Sequence, residues 1–312
     1  MEQRTRVAFR AGAAMAAIAA LSLAAAPAQA QNAGDKPKPK PKPIAGGKLF
    51  TETATATPVA QNQIASATAD CPPKTKAVAG GWATTPPLVA GPPSGHYLNV
   101  YESQMIGNDQ WRVSAVQYLG NSDSLTAYVY CQVRKALPTA STTVLVPDSL
   151  HGANESVVEC ERGKVLSGGF LSTPPSATSA SVVTASHRDT KRSWSASATR
   201  VAPNPLVPPV SPLTLTTFAY CAKVGTIRQR AETVPVVGPA GATHLARPRN
   251  CQKRTKPRSG GFAVPHLTSG LSNSSVVHES RLVGNRWIAA ASYTATGTGT
   301  ATTLSSFQYC RS

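Results

Sequence analysis

The sequence predicts an all-β fold made of three tandem repeats of about 90 residues each. Three observations predict it: a composition with few charged and many turn-forming residues, six regularly spaced cysteines, and segments rich in β-branched and aromatic residues. Only 14% of the 312 residues are charged, and Gly and Pro number 23 and 26, a composition that favours turns and strands over helices. Two arrangements are open: a pseudo-threefold β-prism-like assembly, or three small β-sandwich units.

Residues 1–30 have the pattern of a secretory signal peptide. Three arginines precede an apolar segment, 11–26, and small residues stand before a cleavage site after Ala30. The apolar segment is shorter than the ~20 residues that a membrane-spanning helix needs. We therefore expect cleavage after Ala30, no transmembrane segment in the mature chain, and a secreted or periplasmic location.

A Lys-Pro-rich leader, 31–49, follows the signal and contains the run KPKPKPKP at 36–43. Such a run favours a stiff, charged polyproline-type spacer that builds no core. Recurring landmarks place the three repeats at 50–138, 139–228 and 229–312.

Each repeat carries the same landmarks in the same order: a first cysteine, a Gly-Gly-aromatic triplet, a serine, a tryptophan and a closing Tyr-Cys. The first repeat has Cys71, Gly80-Gly81-Trp82, Ser103, Trp111 and Tyr130-Cys131. The second has Cys160, Gly168-Gly169-Phe170, Ser186, Trp194 and Tyr220-Cys221. The third has Cys251, Gly260-Gly261-Phe262, Ser280, Trp287 and Tyr309-Cys310.

This order resembles a cysteine-paired repeat found in exported bacterial proteins of unassigned function. The resemblance implies secretion, disulfide bonds and an all-β fold, and it carries over no catalytic residues.

The even number of cysteines in a chain with an export signal predicts three disulfides. The simplest pairing lies within repeats and joins Cys71 to Cys131, Cys160 to Cys221 and Cys251 to Cys310. A second symmetric scheme joins neighbouring repeats, Cys131 to Cys160 and Cys221 to Cys251, with Cys71 bonded to Cys310. No cysteine or histidine spacing is typical of zinc, so no metal site is expected.

Each repeat is expected to form about five strands, which run into the landmarks or start from them. The paired glycines predict a bulge or a close backbone approach, where a side chain would obstruct. The recurring tryptophans are interpreted as core residues, with a lectin-like stacking platform as the alternative.

The sequence holds no recognisable reaction centre. It has no nucleophile elbow, zinc-protease helix, phosphate-binding loop or dinucleotide fingerprint, so we expect no catalytic residues and no cofactor. Glu102 and Glu279, which each precede the landmark serine, supply the alternative of a secreted glycan-acting hydrolase.

The net charge of +17 predicts attraction to polyanions. The third repeat carries the largest share of this charge, much of it in a segment without acidic residues that we take as the candidate polyanion-binding site: Arg247, Arg249, Lys253, Arg254, Lys256 and Arg258. Export makes nucleic acid an unlikely target, and anionic envelope polymers or glycans fit better. We therefore expect a non-enzymatic binding or envelope-associated protein. A purely structural assembly subunit is a further alternative, and the sequence leaves the oligomeric state open.

Overall fold

The computed structural model describes residues 48–56, 63–85, 97–119, 123–147, 153–174, 180–201, 212–239, 241–252, 255–265, 275–293 and 302–311. The signal segment and the Lys-Pro leader, apart from residues 48 and 49, lie outside these ranges. The described residues form strands and no helix.

The first repeat supplies β1 (Phe50–Ala56), β2 (Ile64–Asp70), β3 (Lys76–Thr84), β4 (Tyr97–Ile106), β5 (Gln110–Leu119) and β6 (Leu125–Gln132). The second supplies β7 (Thr139–Val146), β8 (Ala153–Glu159), β9 (Lys164–Ser172), β10 (Ala180–Arg188), β11 (Ser193–Val201) and β12 (Leu213–Ala222). The third supplies β13 (Ile227–Val236), β14 (Thr243–Ala246), β15 (Lys256–Ala263), β16 (Ser275–Val283), β17 (Arg286–Tyr293) and β18 (Thr302–Arg311).

The expected number of strands per repeat is corrected by the structure. Five were predicted, and the described part of each repeat holds six, because two strands rather than one precede the first cysteine. In the first repeat these are β1 and β2, which belong to different sheets.

Each of the three antiparallel sheets combines strands of two repeats. Their strand orders are β1-β6-β3-β16-β17-β14, β2-β5-β4-β9-β12-β7 and β13-β18-β15-β10-β11-β8. Each sheet therefore takes three strands from one repeat and three from another, and the first and third repeats pair as the others do. Because every sheet is shared between two repeats, the pseudo-threefold prism-like arrangement is confirmed, and the alternative of three separate sandwiches is not.

At the centre of every sheet, a strand with a glycine pair joins the serine strand of another repeat: the first joins the third, the second joins the first, and the third joins the second. Trp82 pairs with Ser280, Phe170 with Ser103, and Phe262 with Ser186. A Cβ atom on Gly81 would lie 2.3 Å from the carbonyl oxygen of Ser280. The predicted close backbone approach is therefore confirmed, and it lies between two repeats.

The tryptophans and the closing tyrosines are buried at these same junctions. Trp111, which is 1% exposed, donates from Nε1 to the Ser103 hydroxyl at 3.0 Å and packs edge-on against Tyr220 of the second repeat. Equivalent pairs occur at the other junctions, Trp194 with Tyr309 and Trp287 with Tyr130. The interpretation of the tryptophans as core residues is confirmed.

The aromatic residues that follow the glycine pairs meet in the centre of one shared core. The ring of Trp82 lies 5.7 Å from that of Phe170 and 5.2 Å from that of Phe262, both edge-to-face. Because each repeat supplies one of these rings, the core is complete only when all three repeats are present.

Candidate functional site

All three disulfides lie at one end of the sheets, which we call the disulfide end. The bonds are Cys71–Cys131, Cys160–Cys221 and Cys251–Cys310, so the within-repeat pairing is confirmed. The first cysteine of each repeat comes after a strand of one sheet (β2, β8 or β14), and the second lies on a strand of another sheet (β6, β12 or β18). Each bond therefore joins the two sheets to which its repeat contributes. Three disulfides favour an oxidising environment.

The same end collects most of the positive charge of the described residues. Strand directions follow from the antiparallel registers, and they bring the turns after β2, β4 and β6 and their counterparts to the disulfide end. Of the Lys and Arg residues in the described ranges, all but Arg200 lie in these turns, beside the strand ends there, or in the disulfide-end half of a strand. The exposed ones come from all three repeats and include Lys74, Lys135, Arg162, Lys191, Lys223, Arg228 and Arg249.

The connections at the opposite end carry no such charge. They join β1 to β2, β3 to β4, β5 to β6 and the equivalent strands of the other repeats. The sequence of every one of these connections contains neither Lys nor Arg. Within the residues that the structure describes, the fold therefore gathers basic residues that are scattered along the sequence at one end of the sheets.

Acidic residues offset only part of this charge. Lys76 pairs with Asp109 at 3.4 Å, and Asp70, Glu159 and Glu161 lie near the same turns. Basic residues outnumber these carboxylates around the whole disulfide end, so its electrostatic potential is positive.

The structure places the predicted polyanion-binding residues in different environments. Arg247 and Arg249 are exposed in the connection after β14, and Lys256 is exposed at the start of β15. Lys253 and Arg254 lie outside the described residues. The four described residues are all near the disulfide end, where basic residues of the other two repeats also lie.

Arg258 differs from the others because it is buried, with 8% of its surface exposed. It is the bulged residue of β15, between Pro257 and Ser259 in the register with β18. A run of basic residues in a sequence indicates an exposed segment, but the bulge turns this side chain away from solvent.

The two carboxylates considered for hydrolysis are engaged in the structure and do not share a sheet. Glu102 is 3% exposed and accepts hydrogen bonds from Arg112 and Gln104 on Oε1 and from Ser114 on Oε2, at 2.6 to 2.7 Å. Glu279 lies in another sheet and accepts from Arg281 at 2.5 Å. This arrangement does not resemble a pair of carboxylates facing a substrate across a cleft.

Metal ligands do not converge in the part of the chain that the structure describes: it contains no group of three or more His, Cys, Asp or Glu side chains able to hold an ion. No helix within the same ranges is long and apolar enough to cross a membrane.

Counting charge along the chain identified the third repeat but missed the disulfide end as a whole. The overlooked signal is an alternation along each repeat. The first, third and fifth connections between strands lack Lys and Arg, and the basic residues lie in or near the remaining connections. Strand order and pairing are needed to see that the basic connections meet.

Comparison with known proteins adds no relative, since no protein-family model matches the chain and no curated protein sequence matches it.

Proposed function

We propose that this protein is an exported, non-enzymatic binding protein whose disulfide end holds anionic polymers of the cell envelope or anionic glycans. One observation carries the proposal: nearly all described basic side chains gather at one end, whereas the connections at the other end contain none. A long-range field of one sign raises the local concentration of oppositely charged polymers and speeds their association.

Export is supported by two independent features. The N-terminal segment has the pattern of a cleaved signal, and the three disulfides are suited to an oxidising compartment. In such a compartment the available polyanions are phosphate- or sulfate-bearing polymers and glycans.

The shape of the basic surface favours a polymer over a small ligand. Its exposed members come from all three repeats, as Lys135, Lys223 and Arg249 illustrate. Salt screens each exposed charge, so a single one contributes little to binding. The contributions add up only for a ligand that contacts several charges at once.

Two triple variants with the same net charge test the proposal. The first, Lys135→Gln, Lys223→Gln and Arg249→Gln, removes three positive charges from the disulfide end. The second, Gln63→Glu, Leu145→Glu and Val237→Glu, adds three negative charges at exposed positions near the opposite end.

Binding to a sulfated polysaccharide and to polyphosphate, with neutral dextran as a blank, should separate these variants. We expect the first to lose about tenfold or more in affinity at moderate salt and to show a weaker salt dependence. The second should bind nearly as the unmodified protein does. Equal losses would mean that only net charge matters, and no binding by the unmodified protein would favour a structural subunit; either result would overturn the proposal.

A further inference from the structure

The residues that flank the first cysteine differ between the third repeat and the other two. Before and after this cysteine stand Asp70 and Pro72 in the first repeat, Glu159 and Glu161 in the second, and Asn250 and Gln252 in the third. The third repeat therefore has two neutral amides where the first has one carboxylate and the second has two.

Each of these two amides holds an arginine side chain. Asn250 accepts a hydrogen bond of 2.7 Å on Oδ1 from the Nε–H of Arg286, the first residue of β17. Gln252 accepts on Oε1 from the guanidinium group of Arg228 on β13. Two strands of the third repeat thus each present an arginine to the same connection.

The first repeat makes the equivalent contact with the opposite charge. The position of Arg286 holds Gln110 there, and its amide donates to the Asp70 carboxylate at 2.6 Å. The third repeat keeps the hydrogen bond but exchanges an acidic acceptor and a neutral donor for a neutral acceptor and a basic donor. The shared fold requires the hydrogen bond and not the positive charge.

A further arginine on β13 lies beside the same connection. Alternate residues of a strand point to one side, so Arg230 shares a face with Arg228 and Glu232. Arg228 contacts Gln252, and the Glu232 carboxylate accepts from the backbone N–H of Arg247. This face of β13 therefore lies along the connection after β14, with Arg230 between the two contacts.

We call Arg228, Arg230, Arg249 and Arg286 the arginine corner. Arg228 and Arg249 are exposed, and Arg230 and Arg286 are half-buried, so a ligand in solution can reach all four. Among the residues that the structure describes, no carboxylate forms a salt bridge with any of them.

An amide partner orients a guanidinium group without cancelling its charge. The guanidinium has five N–H donors in a planar fork, so one hydrogen bond to an amide leaves donors for a ligand. Because Asn250 and Gln252 are two residues apart, their Cα atoms are at most about 7 Å apart. Two forks anchored this close suit phosphate or sulfate groups, whose three or four oxygens can accept from more than one arginine.

We propose that the arginine corner is the subsite at which the disulfide end binds phosphate or sulfate groups of its polymer, and that Asn250 and Gln252 are positioning residues for two of its arginines. The inference rests on the proposed function and deepens it, because it names the chemical group and the part of the disulfide end that selects it.

Replacing both amides by carboxylates tests the positioning role. The double variant Asn250→Asp and Gln252→Glu uses acidic residues that occupy these positions in the other repeats, Asp70 and Glu161, so both side chains are compatible with the fold. The hydrogen bonds to the two arginines can remain, but each arginine then has a negative partner that competes with the ligand.

Two control variants add the same two negative charges elsewhere. Thr139→Glu with Ser141→Glu places them at exposed positions in the second repeat, at the disulfide end. Gln63→Glu with Leu145→Glu places them at exposed positions near the opposite end.

Binding of the mature, oxidised proteins to polyphosphate and to a sulfated polysaccharide is measured at several salt concentrations. We expect the amide double variant to lose about tenfold or more in affinity and to show a weaker salt dependence, with its unfolding temperature without polymer unchanged. The disulfide-end control should lose less than about threefold, and the opposite-end control should bind as the unmodified protein does.

The two proposals fail separately in this experiment. Equal losses in the amide double variant and the disulfide-end control, with none in the opposite-end control, would overturn the arginine corner and support the proposed function. Equal losses in all three variants, or no binding by the unmodified protein, would overturn both.

Exchange of arginine for lysine tests the guanidinium fork at constant net charge. Arg228→Lys with Arg286→Lys keeps two positive charges but replaces planar forks by point charges. We expect affinity for polyphosphate to fall about threefold or more, whereas the matched control, Arg134→Lys with Arg162→Lys in the other two repeats, should bind unchanged. Full affinity in the first pair would overturn the arginine corner.

A carboxylate polymer separates the classes of anion. The amide double variant should lose more affinity for polyphosphate than for polyglutamate, because the corner is suited to groups with three or four oxygens. Equal losses for the two polymers would mean that the corner recognises negative charge alone, and this would overturn the assignment to phosphate or sulfate.

Discussion

The Tyr220 hydroxyl of the second repeat accepts a hydrogen bond of 2.7 Å from the backbone N–H of Met105 in the first repeat. Tyr309 accepts in the same way from Arg188 and Tyr130 from Leu282. These tyrosines are 0% exposed, and burial raises the pKa of each far above its ordinary value. The residue before the closing cysteine therefore fastens the second repeat to the first, the third to the second, and the first to the third.

Tyr220→Phe should destabilise the whole folded unit and not one repeat alone. It leaves the buried Met105 N–H without this acceptor, at a cost of about 1–3 kcal/mol. Urea unfolding followed by tryptophan fluorescence should show one transition at a lower midpoint. Tyr130→Phe and Tyr309→Phe should shift it similarly, and a separate early transition confined to one repeat would contradict this account.

Gly81→Ala should be among the most damaging small substitutions. Its Cβ would lie 2.3 Å from the Ser280 carbonyl oxygen, whereas a Cβ on Gly225 would meet nothing within 4 Å. We expect a loss of about 3 kcal/mol or more for Gly81→Ala, measured by urea unfolding, and a change within about 0.5 kcal/mol for Gly225→Ala. Equal effects of the two variants would show that the strands can separate at little cost.

Lowering the pH should destabilise the protein through His278. This side chain is 3% exposed, and burial lowers its pKa to about 4, below the value of about 6.5 for an unfolded chain. The unfolded state binds the proton more tightly than the folded state does. The stabilisation that neutral His278 adds to the free energy of unfolding is therefore complete above about pH 6.5 and is lost as the pH falls towards 4, by about 3 kcal/mol at most.

His278→Thr isolates this effect, since Thr184 occupies the equivalent bulged position of the second repeat. Urea unfolding between pH 7 and pH 4 should show a smaller loss of stability in the variant than in the unmodified protein. The carboxylates are common to both proteins, so identical pH profiles would mean that His278 contributes nothing.

A fragment of residues 227–312, which is the third repeat together with the two residues that begin β13, should not fold even with its disulfide formed. Its strands β15 and β16 would lose their partners β10 and β3, and Phe262 would lose both Trp82 and Phe170. Circular dichroism and thermal unfolding of the isolated, oxidised repeat should show no cooperative transition. A cooperative transition would show that the repeats are self-contained.

The sequence was sufficient to predict the all-β class, the triplication and the buried tryptophans, because these depend on local patterns that occur three times. It left two symmetric disulfide pairings open, and the structure selects the one within repeats. The pairing of strands across repeats leaves no comparable local signal, since β3 and β16 are far apart in the chain and are joined by backbone hydrogen bonds that most residues can make. The same limit explains the missed strand, because β1 and β2 read as a single segment until their sheets are known.

The candidate site was predicted only in part for a related reason. Arg247, Arg249 and Lys256 were identified from their density in the sequence, and the structure places them at the disulfide end. Lys135 and Lys223 were not identified, because they lie outside that basic segment of the sequence. Their presence at the same end depends on the pairing of strands between repeats.

Hydroxyl-radical footprinting with and without polyphosphate tests the binding role of the disulfide end most directly. Exposed aliphatic side chains are present at both ends: Val133 and Val283, 43% and 37% exposed, near the disulfide end, and Ile64 and Leu145, 52% and 61% exposed, near the other. We predict that polyphosphate protects Val133 and Val283 and leaves the oxidation of Ile64 and Leu145 unchanged. Protection of Ile64 and Leu145, or equal protection at both ends, would contradict the account.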